Sequence, residues 1–170
     1  MRRAAFGATI VLVTLVLGVA APWAGATEGS DIKACGLMTK KEATRILGAK
    51  VVRTELTRSK AQGVAECRFK SKTFIDASHR KLQAPLQLKI TVQTLTSELQ
   101  ADLTDARDED LPGIGDDAFR TNTGQAIAIV GDLVIEASYQ NAGGTPSDEV
   151  TQKQIAMFEL VVPRVQAAVT

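Results

Sequence analysis

Few residues in this chain of 170 can do covalent or acid–base chemistry: two cysteines, Cys35 and Cys67, and a single histidine, His79. A thiolate nucleophile or redox pair needs a base nearby or the close C-x-x-C spacing, and neither is visible around these two. They read instead as one structural disulfide. It would close a loop of 33 residues and stabilise the fold by about 3 to 4 kcal/mol, chiefly by constraining the unfolded chain. His79 lies between Ser78 and Arg80 in a polar, basic stretch without an orienting partner, and no G-x-S-x-G elbow accompanies it. A lone imidazole also excludes metal sites built from several histidines. No catalytic residue and no cofactor is expected, and the chain reads as a non-enzymatic protein.

Two acidic or glycine-rich features invite other chemistry. Gly113-Ile114-Gly115-Asp116-Asp117-Ala118 matches G-x-G-x-x-A in form, but a dinucleotide site needs a strand before it and a helix start after it. Here Pro112 precedes, strand-like residues follow, and two aspartates would repel a phosphate, so a turn is expected. Asp102, Asp105, Asp108, Glu109, Asp110, Asp116 and Asp117 could offer oxygen to calcium. The EF-hand spacing with its central glycine is absent, and a solvated acidic face is the expectation.

The N-terminus sets the compartment in which those cysteines would pair. Arg2 and Arg3 precede an uncharged stretch with an apolar core from Ile10 to Ala21, then Pro22 and the small residues Ala24-Gly25-Ala26. That order is an export signal. Cleavage after Ala26 is expected, with retention as an N-terminal anchor the alternative. No cysteine ends the apolar run, so lipidation is not expected. Residues 27 to 170 then form one domain, with no further stretch apolar enough to span a membrane. The protein is placed outside the cytoplasm, secreted or periplasmic.

The elements that would position these groups follow from local patterning. Thr39-Lys40-Lys41-Glu42 is a capping box, with Ala43, Ile46 and Leu47 as an apolar stripe and Gly48 as a left-handed stop. Strands are expected over 50–56, 65–70 and 86–93, the last from the alternation of Leu86, Leu88, Ile90 and Val92 with polar residues. Residues 71–84 are polar and basic and read as an exposed loop. A helix over 97–106 is capped by Thr96 and carries Leu95, Leu99, Leu103 and Ala106 on one side, ending in the acidic run Asp108-Glu109-Asp110. Strands at 118–121, 125–130 and 133–139 follow, the last two joined by a tight turn at Gly131-Asp132. Thr145-Pro146-Ser147-Asp148 starts a final helix, with Val150, Met157, Phe158, Val161, Val165 and Ala168 on one side and Pro163 kinking or shortening its end. The fold class is α+β: one antiparallel sheet of about six strands, covered by helices on one face, in the order helix, three strands, helix, three strands, helix.

Five short stretches recur in a known order: Cys35-Gly36-Leu37-Met38-Thr39-Lys40-Lys41-Glu42-Ala43, Ile46-Leu47-Gly48, Glu66-Cys67-Arg68-Phe69, Gly113-Ile114-Gly115-Asp116-Asp117-Ala118-Phe119 and Gly131-Asp132-Leu133-Val134. Together they resemble an exported, actinobacterial lipoprotein-like domain family of unknown function. Its pattern is C-x-L-L-T-x-x-E-A, a second cysteine in a strand, and a G-L-G-D-E-A-F turn. The resemblance implies an envelope location and the Cys35 to Cys67 bridge, and it brings no catalytic residue. The chain departs from the family in lacking the lipid-anchor cysteine.

Charge is unevenly distributed. Residues 27 to 89 hold 14 basic and 6 acidic side chains, a net +8, whereas residues 90 to 170 hold 4 and 13, a net −9. The halves either form separate faces or lie side by side and neutralise each other, with neutralisation the default. If they separate, Arg58, Lys60, Lys70, Lys72, Arg80 and Lys81 form the expected interaction surface. Its partner would be an envelope component, whether protein, anionic lipid or polymer. Nucleic acid is not expected outside the cytoplasm, and the chain offers few aromatic side chains for base stacking. The alternatives are a small-ligand or lipid carrier with an apolar pocket between sheet and helices, and an enzyme of unrecognised type.

Overall fold

Thr39 caps the first helix, α1 (Lys40–Leu47), by accepting a hydrogen bond from the Glu42 amide, while the Glu42 carboxylate accepts one from the Thr39 amide at 2.7 Å. Gly48 then stops α1 in the left-handed region at φ +71°, which a residue with a β-carbon enters at a cost. The computed structural model describes residues 28–76, 81–140 and 148–170, with the backbone alone at 73–76 and 81–84. The export signal and its cleavage site, His79, Arg80 and the Thr145-Pro146-Ser147 cap lie outside the described residues.

Seven strands follow: β1 (Val51–Ser59), β2 (Val64–Asp76), β3 (Lys81–Thr94), β4 (Arg107–Asp110), β5 (Asp117–Thr121), β6 (Ala126–Val130) and β7 (Leu133–Gln140). They make one antiparallel sheet in the order β1-β2-β3-β7-β6-β5-β4. Helices α2 (Ser97–Ala106) and α3 (Asp148–Val169) complete the α+β fold. The strand beyond the six expected is β4, the acidic run, which is exposed throughout and continues directly from α2. Residues 71–84 are not the expected loop, because β2 continues to Asp76 and β3 starts at Lys81.

One face of the sheet, called the front here, carries the main core. Phe69, Leu88, Ile90, Val92, Ile135, Ala137 and Ala128 are fully or almost fully buried there with Met157, Phe158, Val161 and Val165 of α3. Helix α3 continues through Pro163 to Val169 and is not shortened there, and Ala168 is exposed. Gln154 occupies the apolar stripe, where its side-chain amide donates to the carbonyls of Gly124 and Ala137 at 2.9 and 3.2 Å. Single-face cover does not hold. Leu95, Leu99 and Leu103 pack on Phe119, Ile127, Val134 and Ile129 from the other side, so α2 lies on the back of the sheet over β5, β6 and β7.

The cysteines form a disulfide between the short turn Ala34–Gly36 and the buried middle of β2, with Cα atoms 5.0 Å apart. A second tie joins the N-terminal region to α3. Arg164 donates to both carboxylate oxygens of Glu42 at 2.6 and 3.0 Å and to the Leu37 carbonyl at 2.7 Å. These bonds, then the Thr39 amide, pull the Glu42 carboxyl down to a pKa of about 2. A carboxyl depressed in the folded state stabilises it when ionised. The contribution is therefore complete above about pH 4.5 and disappears as pH falls towards about 2. Glu42→Gln should cost about 1 to 2 kcal/mol at neutral pH, given the partial exposure of Arg164. In urea titrations of both proteins, the difference should shrink between pH 4.5 and 2. A difference constant across that window would contradict the assignment.

Candidate functional site: a charge-segregated sheet

Strand order decides the charge layout. The basic part of the chain supplies β1, β2, most of β3 and α1 at one side of the sheet, and the acidic part supplies β4, β5, β6, β7 and α2 at the other. Within the sheet the halves meet at the pairing of β3 with β7, where Lys89 pairs with Glu136 at 2.8 Å, and outside it α3 reaches α1 through Arg164 and Glu42. The two halves share one sheet, as the default expectation had it, but their strands are not interleaved, and the ion pairs between them are confined to contacts such as Lys89–Glu136 and Arg164–Glu42. With seven strands about 4.8 Å apart, the two edges are separated by about 29 Å.

Of the expected surface residues, Arg58 and Lys60 lie apart from Lys70 and Lys72, and Arg80 lies outside the described residues. Arg58 and Lys60 are exposed at the β1–β2 turn. Lys70 and Lys72 lie towards the other end of that hairpin. Arg58 is in register with Ala65, five residues before Lys70, which corresponds to about 17 Å along a strand. Lys81 opens β3, in register with Asp76 at the same end as Lys72. At that end Arg53 is in register with Lys70, and Val51 with Ser71, which brings Lys50, Arg53, Lys70 and Lys72 to one corner. Glu55 is the counter-charge, paired with Lys70 and Arg53 at 2.7 Å each. Lys70 first, then Arg53, holds the Glu55 carboxyl below the usual range. Lys50 and Lys72 are exposed and make no ion pair among the described residues. Lys40, Lys41 and Arg45 are also exposed, because Ala43, Ile46 and Leu47 turn the opposite side of α1 inward. Sequence reasoning recognised that stripe and passed over the cations it leaves outside.

The acidic edge is organised around one arginine. The Arg107 guanidinium bonds Asp110 at 2.7 Å and both Asp117 oxygens at 2.8 and 3.0 Å, and stacks 4.7 Å from the centre of the Phe119 ring. Asp117 is held below the usual carboxylate range by Arg107, whose own pKa is raised in return. A cleft of about 190 Å³ lies between these groups and Leu111-Pro112-Gly113-Ile114-Gly115-Asp116. The glycine-rich segment is a turn, as expected: the Asp116 carboxylate accepts from the Gly131 amide at 2.6 Å, and the Asp116 amide donates to Ile129 at 2.9 Å. Gly115 sits at φ +62°, and a β-carbon there would lie 2.6 Å from the Ile129 carbonyl oxygen. Gly115→Ala should therefore cost about 2 to 3 kcal/mol. Thermal melts would show it, and an unchanged melting temperature would contradict this geometry. Among the described residues no group of three or more His, Cys, Asp and Glu side chains could hold a metal ion.

The fold and these two edges define a disulfide-tied α+β domain with segregated charge. None of its described helices is long and apolar enough to cross a membrane. No protein-family model, no curated protein and no solved structure matches the chain.

Proposed function

We propose that the protein is an exported, non-catalytic interaction module that meets an anionic envelope component through its basic corner. The carrying observation is that corner itself, where Lys50, Arg53, Lys70 and Lys72 converge around Glu55, which pairs with Arg53 and Lys70. Such clusters attract anionic surfaces at about 1 kcal/mol per lysine or arginine, with a range set by the Debye length. The export signal and the resemblance to an actinobacterial envelope family support the location, and a disulfide suits an oxidising compartment. A lipid-carrier reading has less support. The layer between sheet and helices is filled by Leu88, Ile90, Ile135, Met157 and Phe158. An open groove of about 550 Å³ lies beside Ile32, Leu37 and Ala168, with Asp31, Lys33 and Arg164 also lining it.

The test is co-sedimentation of the purified protein with envelopes of its own cells over a salt series. Binding should weaken steadily as salt rises from about 50 to 500 mM. Binding that is absent, or indifferent to salt, would refute the proposal.

A further inference from the structure

We infer that β1 is a self-association edge, joining two copies antiparallel about a twofold axis at Thr54 so that their sheets run on as one. Strand β1 ends the sheet, with β2 on one side and, among the described residues, no strand on the other. The exposed large hydrophobic residues of the described chain are Val52 at 41%, Leu56 at 49% and Val169 at 37%. Two of the three therefore lie on this one edge strand. Between them run Arg53, Thr54 and Glu55; the ladder with β2 is regular from Arg53 to Ser59 and shifts register at Val52, which therefore stands at the end of the regular edge. An unpaired edge with regular backbone is a template for another strand.

The register selects the partner. In an antiparallel pair of identical strands, residues facing each other share a face, so the axis passes through one residue and its copy. An axis at Arg53 or at Glu55 sets that charge against itself, which is unfavourable. An axis at Leu56 leaves Val52 opposite Lys60. An axis at Thr54 places Val52 against Leu56 of the other copy and Arg53 against its Glu55, each twice. Both exposed apolar residues then meet in a second copy of this chain, and Arg53 and Glu55, paired with each other at 2.7 Å within one chain, each gain a second partner across the axis. Opposing this, Lys50 comes to face Arg58 at each end, but both are exposed and screened by salt. A single strand pair buries little area, so the dimer belongs to the weak, concentration-dependent class.

The test is sedimentation equilibrium of the purified protein at 0.15 M salt, up to about 1 mM, without any ligand, so that it reads independently of envelope binding. The wild type should form dimers and no larger species. Arg53→Glu and Glu55→Lys should each weaken dimerisation about tenfold or more. An equimolar mixture of the two variants should restore it. In the mixed dimer the introduced carboxylate of the first variant faces the introduced ammonium of the second, and the Glu55 that the first retains faces the Arg53 that the second retains. Arg53 is 72% exposed, so its substitution leaves the fold intact, and melting curves verify this for both variants. A monomeric wild type, variants that dimerise undiminished, a mixture that fails to recover, or growth beyond dimers would each overturn the inference.

Discussion

Phe158→Ala should lower the free energy of unfolding by about 3 to 5 kcal/mol, the largest effect expected of any single substitution in this domain. Phe158 is completely buried on α3, against the sheet, among the largest fully enclosed side chains of the fold. Its loss removes the six ring carbons from an apolar environment and leaves a void that neighbours anchored on a sheet and a long helix can fill only in part. Glu159→Ala, one residue along and on the exposed side, should change stability by less than about 0.5 kcal/mol. Urea unfolding would measure both. A cost below about 1 kcal/mol for Phe158→Ala would mean that α3 does not pack on the sheet as described.

Removing the disulfide should cost about 3 to 4 kcal/mol, the second largest effect. The bond joins residues 32 apart in sequence, and opening it frees a loop holding α1 and β1 in the unfolded chain. It also releases the N-terminal turns from the sheet. Cys67 is completely buried on β2, so Cys35→Ala with Cys67→Ala leaves a small apolar gap and no unpaired polar group. The melting temperature should fall by about 10 °C. Reduction of the wild type should reproduce the double variant. A melting point unmoved by reduction would show that the bridge does not support the fold.

Local signals in the sequence were sufficient for much of the architecture. Thr39, Glu42 and Gly48 bracket α1 at its observed ends, and Thr96 caps α2 through the Leu99 amide as expected. The alternation of Leu88, Ile90 and Val92 locates the middle of β3 because one face of it is sealed by helices. Its outer end was not legible. Residues 71–84 are mostly polar and basic, so the sequence there carries no clean two-residue alternation of apolar residues. Strand β4 was hidden for a related reason. Its four residues are all exposed, and it exists through pairing with β5 and through the bonds of Arg107 to Asp110 and Asp117. The leucines of α2 announced a packed face, but their place on the back of the sheet depends on Phe119, Ile127 and Val134 coming into register from three strands. The candidate site has the same character. Charge imbalance between the halves was plain in the composition. The corner formed by Lys50, Arg53, Lys70 and Lys72 depends on the β1–β2 register, and its distance from the acidic edge depends on strand order.

Binding to envelopes by two charge-altered proteins tests the central claim most directly. One carries Lys50→Glu with Lys72→Glu at the basic corner, and the other Asp105→Lys with Asp108→Lys at the acidic side. All four positions are exposed, so both proteins should melt within a few degrees of the wild type. The basic-corner variant should lose affinity by about tenfold or more, whereas the acidic-side variant should bind at least as well as the wild type. Equal loss in both, or no loss in the first, would contradict recognition through the basic corner.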